Sequence, residues 1–406
     1  MLTTTAVTHY FVVRVFIRST QNNKIMFAAK TRNLVRKTHL PGNWSWCRWS
    51  SSSNKTTATA AAPDVNANQR QQLLNDLAEP LVTNSRPTID PKETSIVLFP
   101  GQGTQYVGMA KDLLRFPGAR RIFELANEVL KYDLLKICLE GPRDKLNRTE
   151  YAQLAVMVSS LAALEQLREE RPKAIENCVA TAGFSLGEIT ALVFAGSLPF
   201  DKALKLVQVR ANAMQLACDQ RPGAMAMTIY GPDTNVGEAC AKAQQWCLDR
   251  GVESPYCGVA NYMYPHCKVI AGNVEAIEFL EHHAKSLKIR RMKRLAVSGA
   301  FHTPLMESAV APFAKALSSI RLEDPIIRVY SNVDGKPYKH ASHILRQLPK
   351  QIVRPVKWEQ SLHTIYERQQ GVNFPRTFEC GPGKGLLQVL DKVNAKAAQS
   401  AHNVIA

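Results

Sequence analysis

The chain has 406 residues, 45% of them hydrophobic and 21% charged. That length suits about two or three domains, and the composition excludes a disordered, collagen-like or polytopic membrane protein. The formal net charge of +17 raises nucleic acid as a partner, but residues 1–63 alone hold nine Lys and Arg and no Asp or Glu, leaving +8 for the other 343 residues.

That basic N-terminal segment is rich in Ser, Thr and Ala. Wound as a helix, it puts Phe27, Ala28, Leu34 and Val35 on one face and Lys30, Arg32, Arg36 and Lys37 on the other. The apolar run at 10–17 is broken by Arg14, and no stretch approaches the ~20 apolar residues of a membrane span. Residues 1–60 therefore read as a mitochondrial transit peptide, which places the mature protein in the matrix; a disordered basic arm is the alternative. Residues 61–93 read as a linker, with a short helix at 64–79 followed by Pro80, Pro87 and Pro91.

An ordered α/β domain is expected from 94. Ser95-Ile-Val-Leu-Phe99 has the run of apolar residues of a buried strand, helical patterns follow at 119–139 and 151–170, and 178–182 reads as a second strand. Strands and helices alternating at this spacing imply a parallel sheet. Residues 222–297 differ. Strands at 225–230, 256–261, 268–271 and 292–297, with helices at 234–249 and 273–287, give the order βαββαβ of a ferredoxin-like subdomain. It is inserted in the larger domain, whose parts span 94–221 and 298–395, with 396–406 as a tail. The nine cysteines contain no C-x-x-C pair, so they suit buried thiols better than a disulfide framework. Cys257, His266 and Cys267 lack a fourth ligand at zinc spacing, and no metal is expected.

Gly183-Phe-Ser185-Leu-Gly187 lies where the second strand meets a helix running from Leu186 to about residue 195. In that context a G-x-S-x-G is read as a nucleophile elbow in preference to a plain Gly-rich turn, with Ser185 as nucleophile. Ten histidines compete to be its base. His282 and His283 sit on a charged helix, His340 and His343 in a polar stretch, and His9 and His39 in the presequence. His302 follows a strand at the domain junction, where a base and a packing histidine are equally compatible with the pattern. In the helix at 201–217 the inward positions are Ala203, Leu206, Val207, Arg210, Met214 and Ala217. Arg210 interrupts that apolar face, so it needs an anion there, an internal salt bridge, or a stem long enough to reach water. Its fork suits a carboxylate.

Two Gly-rich loops fail as nucleotide motifs. After Gly101-Gln-Gly103 the dinucleotide pattern needs Gly at 106, where this chain has Tyr106; Gly381-Pro-Gly-Lys384-Gly385 lacks the first P-loop Gly and the Ser or Thr after Lys384. They read as sites of close backbone approach. The N–H of Gln102 could form half of an oxyanion hole and that of Leu186 the other half.

Phe99-Pro-Gly-Gln-Gly-Thr-Gln105, Gly183-Phe-Ser-Leu-Gly-Glu188 and Gly299-Ala-Phe-His-Thr-Pro-Leu-Met306 together resemble the malonyl-CoA:acyl carrier protein transacylases. Asn332-Val-Asp-Gly, Pro355-Val-Lys-Trp358 and Glu379-Cys-Gly-Pro-Gly-Lys384 extend the likeness, which runs from Ser95 to Val393. The resemblance implies a hydrolase-like α/β domain with an inserted ferredoxin-like one. It implies Ser185 as nucleophile, His302 as base, and the N–H groups of Gln102 and Leu186 as oxyanion hole. Arg210 would bind the malonyl carboxylate, and the backbone carbonyl at Gln351 would orient the histidine. Phe184 stands where many bacterial members have His, at a position without a catalytic role; the mitochondrial branch resembles this version.

The implied reaction is ping-pong transfer of malonyl from malonyl-CoA to the phosphopantetheine thiol of acyl carrier protein, for mitochondrial fatty acid synthesis, with no cofactor, metal or membrane. A serine thioesterase or esterase on the same elbow is the alternative enzyme, against which Arg210 and the 99–105 loop argue. A basic RNA-binding scaffold is the other alternative. The cations at 288–294 have few aromatics among them, so they suit a solvated strand edge or a docking surface for an acidic carrier protein better than RNA.

Overall fold

The computed structural model describes residues 89–297 and 299–406. The expected transit peptide at 1–60 and the helix at 64–79 lie outside them. Five strands form an all-parallel sheet: β1 (Ser95–Phe99), β2 (Cys178–Gly183), β7 (Arg328–Tyr330), β9 (Arg376–Gly381) and β10 (Ala401–Ile405), in the order β10-β9-β1-β2-β7. A parallel sheet covered on both faces needs apolar residues at every strand position, and β1 shows this. Val97 and Phe99 enter one core, Ile96 and Leu98 the core on the opposite face.

The covering helices follow from composition. Helix α1 (Pro117–Leu130) is amphipathic, with Ile122, Phe123, Leu125 and Ala126 buried. A second helix, α2 (Leu134–Glu140), is separate from it: Lys131 takes φ 64°, which ends α1, and the Asp133 side chain accepts the N–H of Lys136 to start α2. The single helix expected over 119–139 is thus two. Helix α3 (Thr149–Glu170) is apolar on nearly every side and is buried through most of its length, including Gln153. Helix α4 (Leu186–Phe194) is wholly buried, and α5 (Phe200–Gln220) buries all six inward positions named above, Arg210 among them.

The smaller unit contains β3 (Gly223–Tyr230), α6 (Val236–Leu248), β4 (Cys257–Tyr264), β5 (Cys267–Asn273), α7 (Val274–His282) and β6 (Ile289–Arg294). Its antiparallel order β6-β3-β5-β4 is that of a ferredoxin-like fold, and α6 and α7 pack on one face around Ile270, Ala243 and Ile277. The two sheets are stitched together by β8 (Val356–Lys357), which returns from the larger domain and pairs parallel with β4.

Three boundaries depart from the sequence reading, the first being the helix expected at 273–287, which ends at His282. The strand expected at 292–297 is at Ile289–Arg294: pairing with β3 ends where the Leu295 N–H donates to Met225 O at 2.8 Å, and the Leu295 and Val297 side chains pack on the main core. The 396–406 segment is no tail: Ala401–Ile405 is an edge strand of the parallel sheet, with Val404 and Ala406 buried. The described cysteines are thiols. Among the described residues no helix is long and apolar enough to cross a membrane, and no cluster of three or more His, Cys, Asp or Glu side chains could hold a metal.

Candidate active site

The site lies at the carboxyl ends of the parallel strands, the edge where open α/β sheets bind ligands. From β2 the chain turns at Ser185 directly into α4. Ser185 has φ 52° and ψ −105°, a strained conformation for a residue with a side chain. The turn is tight enough to demand its glycines. A Cβ on Gly183 would lie 1.8 Å from the carbonyl carbon of Gly187, and one on Gly187 would lie 2.2 Å from the Phe99 oxygen. Asn332, two residues past β7, holds the turn closed. Its Oδ1 accepts the Ser185 N–H at 2.7 Å and its Nδ2 donates to Gly183 O at 2.8 Å. Phe184 packs edge-on against the buried Trp358, with ring centroids 5.6 Å apart.

His302, at φ 63°, reaches the elbow from the chain that follows β6. Its Nδ1 lies 2.7 Å from the Gln351 carbonyl oxygen and its Nε2 2.8 Å from Ser185 Oγ. A carbonyl can only accept, so Nδ1 carries the proton and Nε2 presents its lone pair to the serine hydroxyl. Burial, and after it the nearby Arg210 charge, push the imidazole down to about 4 from its ordinary 6.5, against the opposing effect of the Gln351 carbonyl. The ring is therefore neutral at physiological pH, the form that can accept a proton.

Arg210 is only 1% exposed. From α5 its Nη1 donates to Gln153 Oε1 at 2.7 Å, and its Nη2 donates to Gln351 Oε1 at 2.8 Å and to Ser185 Oγ at 3.1 Å. Its Nε is buried with no acceptor among the described residues. Neither snorkelling nor a direct salt bridge accounts for it. Burial pulls its pKa down to about 10, with the Glu188 charge opposing.

Four more polar residues complete the site, and the sequence reading gave none of them a role. Gln153 links Arg210 to the first loop, donating to Gln102 Oε1 at 3.2 Å. Glu188, fully buried on α4, accepts from Tyr338 Oη at 2.6 Å, from the Asn332 N–H at 3.3 Å and from Gln351 Nε2. Burial raises its pKa to about 7 in spite of these donors and Arg210. The signal for Gln153 and Glu188 was the one that exposed Arg210, a polar side chain on an otherwise apolar helix. Asn332 and Tyr338 carried no such mark. The N–H groups of Gln102 and Leu186 donate to no acceptor among the described residues. The two Gly-rich loops do meet, since a Cβ on Gly381 would lie 2.7 Å from the Pro100 ring.

The chain matches the acyl transferase domain family over residues 96–374. It is 80% identical over 375 residues to a probable mitochondrial malonyl-CoA-acyl carrier protein transacylase of Drosophila melanogaster, covering 92% of this chain and 99% of that one. Among solved structures, the malonyl-CoA:acyl carrier protein transacylase of Xanthomonas oryzae superposes with a TM-score of 0.70 at 31% identity, over 78% of this chain and 96% of that one. A malonyl-transacylase solved in complex with a type II polyketide synthase acyl carrier protein gives 0.67 at 32% identity, over 77% and 96%. A family model matching most of the chain, a relative 80% identical over nearly its whole length and a fold shared with solved transacylases together show the family: the chain belongs to the malonyl-CoA:acyl carrier protein transacylases.

Proposed function

We propose that this chain transfers the malonyl group of malonyl-CoA to the phosphopantetheine thiol of acyl carrier protein in the mitochondrial matrix, supplying fatty acid synthesis, through a malonyl ester on Ser185. The donor, the acceptor and the mitochondrial setting are those of the relative 80% identical to it. Ser185 Oγ attacks the thioester carbonyl while its proton passes to His302 Nε2. The oxyanion formed by the new C–O bond rests on the N–H groups of Gln102 and Leu186, where one such donor is typically worth ~10²–10³ in rate. The C–S bond then breaks, and the imidazolium gives its proton to the coenzyme A sulfur. In the second half the carrier thiol loses its proton to His302 and attacks the ester, and Ser185 leaves as its hydroxyl reforms. Gln351 orients the imidazole through its carbonyl. No step uses a metal or resident cofactor.

Arg210 binds the malonyl carboxylate, which would supply the acceptor its buried Nε lacks. The observation that carries the reading is convergence on one atom: His302 Nε2 at 2.8 Å and Arg210 Nη2 at 3.1 Å both contact Ser185 Oγ. The division into a transferase domain at 94–221 and from 298 through β10, and a smaller one at 222–297, is supported by β3 starting at Gly223 and β6 ending at Arg294.

The test is mass spectrometry of the protein mixed with malonyl-CoA or acetyl-CoA and quenched. A malonyl adduct on Ser185 that discharges to carrier protein is expected, and Arg210→Ala should lower malonyl labelling by about 10²-fold or more, far beyond its effect on acetyl labelling. An unlabelled native enzyme would overturn the mechanism, discharge to water alone would mark a thioesterase, and equal losses for both donors would remove Arg210 from carboxylate binding.

A further inference from the structure

The Gln351 side chain faces three partners at once: the Ser185 carbonyl oxygen at 2.9 Å, the Glu188 carboxylate, and Arg210 Nη2 at 2.8 Å. Two of these only accept and one only donates. All three are satisfied by one orientation of the amide, with its NH₂ toward Ser185 and Glu188 and its oxygen toward Arg210. The Ser185 carbonyl alone is a weak reason for that choice. The carboxylate is the strong one in its ionised form, as a charged acceptor buried together with Gln351 and Arg210. Glu188 is fixed in turn by Tyr338 Oη and the Asn332 N–H, both on Oε1, which leaves Oε2 for Gln351.

We propose that Glu188 is a positioning residue for substrate selection: it sets the amide of Gln351 so that its oxygen anchors the Arg210 guanidinium in place for the malonyl carboxylate. The proposal rests on the transfer reaction above and deepens it. Gln351 serves two clients by two routes. Its backbone carbonyl holds His302, and its side chain holds Arg210. An error in the amide orientation therefore reaches Arg210 and leaves the histidine contact in place. Glu188→Gln makes that error with little change of shape. The Asn332 N–H keeps an oxygen on its own side, so the new NH₂ faces the NH₂ of Gln351. Relief requires the Gln351 amide to turn, which sets a donor against the guanidinium.

The experiment compares kcat/KM for malonyl-CoA and for acetyl-CoA, which lacks the carboxylate, in wild type, Glu188→Gln and Tyr338→Phe. The ratio of malonyl to acetyl use should fall by about tenfold or more in Glu188→Gln, the equivalent of one hydrogen bond to a charged group. It should fall less, in the same direction, in Tyr338→Phe, where Glu188 keeps its carboxylate and loses one donor. Equal losses for both donors, or an unchanged ratio in both variants, would overturn the proposal. If Glu188→Gln does not fold, the ratio in Tyr338→Phe decides. A wild-type protein that forms no malonyl adduct on Ser185 would instead overturn the transfer reaction itself.

Discussion

Ser185 and His302 both hold positive φ, at 52° and 63°. Such backbone strain persists only where surrounding contacts over-determine it, and here they do: Asn332 fastens the elbow on two sides and Gln351 accepts from the histidine. The same packing excludes water, which decides the proton chemistry. An ordinary imidazole is half-protonated at 6.5, whereas His302 is held down to about 4, first by burial and then by Arg210. The protonated ring cannot accept from Ser185, so acylation is lost as pH falls through the folded-state value. Acylation of Ser185 in a single turnover should therefore persist to about pH 5 and fall near 4. In Arg210→Ala the acid limb should move upward, because one of the two depressing effects is gone. Rapid-quench labelling with acetyl-CoA across pH measures both, and a wild-type limb at 6.5 would contradict the assigned environment.

Ser185 was visible in the sequence because its motif is contiguous and lies at a strand-to-helix junction. Arg210 was visible because charge on an apolar helical face is costly, although the sequence left open what would meet it. His302 could not be told from a packing histidine, since its two partners are Ser185 and the carbonyl of Gln351, 117 and 49 residues away. Glu188 and Tyr338, 150 residues apart, meet only through the sheet order β1-β2-β7, which local pattern does not encode.

At the scale of elements, the elbow is a joint between β2 and α4 that has no room for a methyl group. Gly187 passes so close to β1 that a Cβ would overlap the Phe99 and Pro100 carbonyls. Gly187→Ala must push α4 away from β1 and should cost about 3 kcal/mol or more, the upper end for overpacking, read as a fall of several degrees in Tm. It should also lower acylation, because α4 carries the Leu186 N–H. A variant with unchanged Tm would mean that the joint is looser than these distances indicate. Sequence reading drew no individual element after 297, and it took the segment that forms β10 for a tail. Its five residues carry one buried side chain within the strand, Val404, so the apolar alternation that marks a strand is faint. Its place comes from backbone pairing with β9 and from Asn403, whose Nδ2 donates to Gly383 O at 2.8 Å and braces the second Gly-rich loop.

For the molecule as a whole, charge sorts by location. Nine of the cations lie in residues 1–63, outside the described residues. Within the fold, β6 forms the outer edge of the second sheet and exposes Arg290, Arg291 and Lys293. Arg294 is already engaged, with Glu281 Oε2 at 2.8 Å and Glu278 Oε1 at 3.8 Å. A row of exposed cations protects a sheet edge from pairing with other chains, and it also attracts an acidic protein over a distance. The two roles separate in a two-step reaction, because only the second step meets the carrier protein. Replacing Arg290, Arg291 and Lys293 by Gln should lower kcat/KM for carrier protein by about tenfold at low ionic strength, with the difference shrinking as salt rises. Acylation of Ser185 by malonyl-CoA should hold its wild-type rate, since none of the three residues lies among the contacts of the serine, histidine or arginine. An unchanged carrier step would leave edge protection as the whole purpose of the patch, and equal losses in both steps would point to damage in the fold that joins the two sheets.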